Sequence, residues 1–135
     1  MNAVLVQRDE VVRRDRGDTT AQIVVLMPIL LMLVLLVVQA ALWYHTGNIA
    51  QAGAARGAAA GAPATATAGA AMAAATHTVL ENGGLITSAP VVDFGDRIVV
   101  VTVELAVPHV VPFFPSTVTR VQLEPRERFI PEDER

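Results

Sequence analysis

The stretch RRDRGDTTAQIVVLMPILLMLVLLVVQ, residues 13–39, carries a charge on each of its first four residues and is then apolar for most of its remaining length. From Ile23 to Val38 sixteen consecutive residues are apolar, thirteen of them Ile, Leu or Val, and the uncharged stretch extends from Thr19 to Ala55. A bilayer core needs about 20 residues of helix, so the run predicts a transmembrane helix. Its thirteen branched side chains contribute roughly 4 to 8 kcal/mol toward insertion. Pro28 stands near the start of the run, where a missing N–H and a kink cost least. Trp43 and Tyr44 stand at its far end, where amphipathic rings favour the interface, and bound the predicted span as Ile23–Tyr44.

Orientation follows from the arginines. Arg8, Arg13, Arg14 and Arg16 precede the span, whereas only Arg56 falls in the twenty residues after it. The bias places the N-terminus in the cytoplasm and residues 45–135 outside. Two export readings compete. A secretory signal peptide cut at the small residues of VVQAA, near Ala40, requires an apolar core shorter than this one. A twin-arginine signal at Arg13 and Arg14 requires apolar residues where DRGD stands.

With 135 residues, the chain has room for one modest domain beside the span and none for a large catalytic core. It is 53% hydrophobic with only six aromatic residues, so the part outside the membrane must pack through small side chains and close backbone contact. Cysteine is absent, which removes disulfides and thiolate metal sites. Lysine is absent too, and no arginine cluster lies beyond residue 16, which argues against nucleic acid as a partner. His77 and Glu81 share i,i+4 spacing without a third ligand and read as a solvated pair rather than a metal site. Ser88 and Ser116 lack a nucleophile-elbow context, and no glycine-rich phosphate loop follows a strand. The sequence therefore predicts no enzyme activity, no cofactor and no small-molecule substrate.

Helix is expected to continue past the span, because HTGNIAQAGAARGAAAGA is rich in Ala and lacks strand alternation. Gly53, Gly57 and Gly61 recur every four residues, on one helix face. Each costs about 1 kcal/mol relative to Ala, and the physical return of such a stripe is close approach of another backbone. After the break at Gly61–Pro63 a second Ala-rich helix follows, whose face could supply that partner within the chain, and Gly83 and Gly84 end it. Beyond them ITSAPVVDF, RIVVVTVELAV and STVTRVQLE read as three strands. Val99, Val101, Val103, Leu105 and Val107 take one face of the middle strand, and FGD at 94–96 predicts a tight turn. The connection PHVVPFFPS, residues 108–116, is apolar and proline-stiffened, and Phe113 and Phe114 are candidates for contact with the membrane or a partner subunit.

The basic leader ending in Gly17, the polar entry RDRGDTTAQ, the proline of VLMPILL and the small-residue helix QAGAARGAAAGA together resemble the TadE family of minor pseudopilins, from the tight-adherence (Flp) pilus apparatus of bacteria. The resemblance implies a prepilin-type leader cut between Gly17 and Asp18, with a prepilin peptidase and other pilin or pseudopilin subunits as partners, in the cytoplasmic membrane. The family pattern places Glu five residues after the cut, a carboxylate that neutralises a new α-amino group; this chain has Gln22. Gln22 can accept a hydrogen bond from the amine without neutralising it, and Asp18 is the carboxylate at the new N-terminus. An unprocessed single-pass anchor presenting a small outside domain is the alternative.

The expected organisation is α+β. A leader, 1–17, precedes the transmembrane helix and its extension, 18–62; then come a second Ala-rich helix, 63–84, a three-stranded antiparallel meander, 85–130, and an acidic tail, 131–135.

Overall fold

The computed structural model describes the backbone of residues 2–127 and the side chains of residues 20–127. The tail 131–135 and the side chains of the basic leader lie outside the described residues. Helix α1 runs Asn2–Gly61, and the chain divides into two units, Met1–Val38 and Gln39–Arg135.

In the first unit, Ile23 to Leu33 and Val34, Val37 and Val38 hold their side chains outward, Pro28 lying within the helix. The helix from Thr20 is long and apolar enough to cross a membrane, and none of its most apolar window is buried. Residues 20–38 alone extend about 28 Å at ~1.5 Å per residue, close to the ~30 Å hydrocarbon core.

The second unit lays two helical segments on one face of an antiparallel sheet. Its helices are α1 from Gln39 onward and α2, Ala68–Glu81; its strands are β1, Leu85–Ile86, β2, Val91–Phe94, β3, Ile98–Ala106, and β4, Thr117–Pro125. Pro63 follows the end of α1, and Thr67 caps α2 by accepting from the Ala70 N–H at 3.2 Å. At its other end the Gly84 N–H reaches the Val79 carbonyl at 2.9 Å and the Gly83 N–H the Leu80 carbonyl at 3.1 Å. That pair of bonds is a Schellman cap, and it needs the positive φ of 74° that Gly83 adopts.

Strand β3 is central. β4 pairs along its whole length on one side, and β1 and β2 share the other side in tandem. The sheet therefore has the three lanes of a meander, but the lane read as one strand, 86–94, is broken in two. Ile86 pairs with Leu105 and Val91 with Thr102, so this lane carries two residues more than β3 over the same interval. Pro90, which has no N–H for the ladder, sits in the break. The FGD turn is in place, closed by the Gly95 N–H on the Ile98 carbonyl at 2.9 Å.

Val99, Val101, Val103, Leu105 and Val107 are buried under the helices with Ile49, Ala50, Ala54, Ala58, Ala75 and Val79. On β4 Val118 joins the core from the helix side, but from Arg120 onward the alternation is reversed relative to polarity. Arg120 and Gln122 pair with Val103 and Val101 and so lie on the helix side, whereas Val121 and Leu123 face away from it and are exposed. The two helix-side residues are used: Arg120 lies over the Trp43 ring at 5.6 Å and against Gly47, and the Gln51 Nε2 donates to the Gln122 Oε1 at 2.7 Å.

At the expected outer limit of the span, Tyr44 is exposed while the two residues before it are not free. Leu42 and Trp43 pack against the domain core instead of standing free at an interface. The reason is that Arg120 gives the indole a cation and a cover within the chain. The freely exposed apolar run ends at Val38.

Candidate functional site

The glycine stripe faces inward. A Cβ built on Gly53 would stand 2.5 Å from the Val79 Cγ2, one on Gly57 2.9 Å from the Ala75 Cβ and 3.1 Å from the Ala71 carbonyl oxygen, and one on Gly61 2.9 Å from the Val99 Cγ2. The Cβ built on Gly57 would also stand 3.1 Å from the Val101 Cγ1, and that on Gly53 3.9 Å from the Val103 Cγ2. Three periodicities therefore run in step: every fourth residue of α1, every fourth of α2 and every second of β3. They match because four helical residues rise ~6 Å and two strand residues ~6.7 Å. The close approach that the stripe allows is to the chain's own α2 and β3.

Gln39 is the residue that sequence reasoning missed. Its side chain is fully buried at the start of the second unit. Its Oε1 accepts from the backbone N–H groups of Val110, at 2.7 Å, and Val111, at 3.3 Å, while its Nε2 donates to the Pro108 carbonyl at 3.3 Å. One amide thereby satisfies three backbone groups of the proline-rich loop, which has no ladder partner of its own. The only sequence signal was a lone amide at the end of sixteen apolar residues, and its partners lie some seventy residues on.

The loop buries Val111 and exposes Val110, Phe113 and Phe114. Gln22 is exposed on α1, and Pro28 lines a shallow apolar groove with Met27, Leu30, Leu31 and Val34. Gly17 and Asp18 fall in α1, but their surroundings lie outside the described residues. His77 Nδ1 and Glu81 Oε2 stand 3.1 Å apart with both side chains well exposed, as a solvated pair. No group of three or more His, Cys, Asp or Glu gathers among the described residues.

The entry motif, the exposed apolar helix and the glycine seam are thus contiguous on α1, and a protein-family model covers that stretch: the TadE-like protein model matches residues 17–59. That match is to a TadE-like model and covers about a third of the chain. The TadE-like stretch starts at Gly17, spans the apolar run and takes in Gln39, Gly53 and Gly57, ending before α2 and the sheet. No curated protein and no solved structure matches the chain. The apolar helix and the TadE-like match together support membrane association.

Proposed function

We propose that the chain is a membrane-anchored, minor pseudopilin-like structural component of a tight-adherence (Flp) pilus or a related secretion apparatus. It is inserted with its N-terminus in the cytoplasm and cut by a prepilin peptidase after Gly17. The observation that carries this reading is the TadE-like match beginning at residue 17, at the seam between the basic leader and the apolar helix. A coarser statement needs only the match and the helix: they fit a membrane protein associated with the Tad pilus. The outer face of the sheet supports contact with other subunits, since Val91, Ile98, Val121 and Leu123 lie exposed on it.

Gln22 favours a second reading, an unprocessed single-pass anchor, because it cannot supply the carboxylate that a new α-amino group needs beside hydrocarbon. A secreted form cut near Ala40 is disfavoured by packing. That cut would detach Gln39 and leave three backbone groups of the 108–111 segment without their partner.

N-terminal sequencing of the protein purified from membranes separates the three. A start at Asp18 is expected, an intact Met1 marks the plain anchor, and a start near Ala41 marks secretion. Gly17→Val is expected to leave only the full-length form, and normal cleavage of that variant would sink the pseudopilin reading.

A further inference from the structure

The loop at 108–116 presents its apolar side chains at a cost that nothing among the described residues offsets. Phe113 is completely exposed, and its φ of 79° lies in the left-handed region that bulky residues avoid. A glycine would suit that backbone better and would keep apolar surface out of water. Phe114 and Val110 are exposed beside it, and Pro108, Pro112 and Pro115 restrict the loop, so holding the rings out costs little further entropy. No Asp, Glu, Lys or Arg lies between Glu104 and Arg120 to oppose entry into an apolar boundary.

The place of the loop decides among occupants. Gln39 holds Pro108, Val110 and Val111 by three hydrogen bonds, and Gln39 follows directly on Val38, the last residue of the exposed apolar run. The loop is therefore bonded to the residue that directly follows the apolar run in sequence. A protein partner could be met anywhere on the domain, whereas a lipid boundary is expected where a transmembrane run ends in the sequence.

We infer that Val110, Phe113 and Phe114 insert into the headgroup–acyl boundary of the bilayer that the span crosses, as a second, non-covalent anchor for the domain. Aromatic rings suit that boundary. The inference rests on residues 20–38 being transmembrane, and the test below reads that premise separately.

The chain has no cysteine, so single sites can be labelled cleanly. Nitroxide labels on the full-length variants Phe113→Cys, Leu31→Cys and Thr65→Cys are compared in vesicles of phosphatidylethanolamine and phosphatidylglycerol. Power saturation with oxygen, which concentrates in lipid, and with a water-soluble nickel chelate reports the surroundings of each. Leu31, in the span, sets the lipid reference; Thr65, exposed in the connection between the helices, sets the aqueous one.

At Phe113 the ratio of oxygen to nickel accessibility is expected to be several-fold above that at Thr65. Nickel accessibility equal to that of Thr65 would overturn the inference, and so would shielding from both reagents, the mark of a protein partner. A Leu31 label reached by nickel would remove the transmembrane reading and the anchor with it. Should Phe113→Cys fail to fold, Phe114→Cys gives the same reading.

Discussion

Residues 23–38 and 49–61 belong to one helix and solve opposite packing problems. The first stretch is built from Leu, Ile and Val with the side chains turned outward; the second is built from Ala and Gly with Ala50, Ala54 and Ala58 wholly buried. In lipid, bulky apolar side chains meet an apolar solvent and gain from their size. Within the domain, the helix touches α2 and β3 backbone to side chain, and every added methyl has to be accommodated. Bulk therefore marks the part that faces lipid and smallness the part that faces protein, although both are apolar and both helical.

Exchanging those roles at single positions tests the contrast. Gly57→Leu places a side chain where even a Cβ stands 3.1 Å from the Ala71 carbonyl oxygen, an atom of the backbone that cannot rotate away. The expected destabilisation exceeds about 3 kcal/mol, enough to unfold a domain this small, while Gly57→Ala costs about 1–3 kcal/mol. The single tryptophan, Trp43, packs on the core under Arg120 and reports unfolding by fluorescence in detergent micelles. Leu31→Ala, in the outward-facing run, is expected to leave that transition in place. Equal effects of the two changes would erase the distinction between the regions.

Gln39 stands between those regions in sequence and, among the described residues, is the one wholly buried polar side chain that binds the loop. In Gln39→Leu the volume is kept but the Val110 and Val111 N–H groups and the Pro108 carbonyl lose their partner. A loss of roughly 2–3 kcal/mol is expected, less than the full sum because Val110 is half exposed and water can reach it. Amide hydrogen exchange at Val110 and Val111 should accelerate while exchange at Val101, in the centre of β3, follows only the change in global stability. Unchanged protection at the loop would show that Gln39 does not hold it.

Much of this was legible because it rests on local periodicity. The four-residue glycine repeat, the alternation of Val99 to Val107, the paired glycines after α2 and the FGD turn each put their physical cause within a few residues, and the sheet and helices follow from them. The features that were not legible depend on residues far apart. Gln39 looks like the end of an apolar run until the loop some seventy residues later returns to it. Trp43 reads as an interface anchor until Arg120 covers it. The break between β1 and β2 and the reversed polarity of β4 depend on register against β3, and no single strand reveals register. At the entry motif, the TadE-like match begins at the glycine that charge patterning had singled out.

The smallest effect sharpens the comparison from the other side, by asking whether a glycine in this domain matters for itself or for what it touches. Gly69 lies in the first turn of α2, and a Cβ there would meet nothing within 4 Å. The close neighbours that make Gly57 obligatory are missing, and only backbone freedom distinguishes glycine from alanine at this site. Gly69→Ala is therefore expected to stabilise the domain by about 0.4–1 kcal/mol, because alanine restricts the unfolded chain and is the better helix former. A small rise in the Trp43-monitored transition temperature is the result to look for. A fall would mean that the backbone at residue 69 itself requires glycine, although a Cβ there meets nothing within 4 Å.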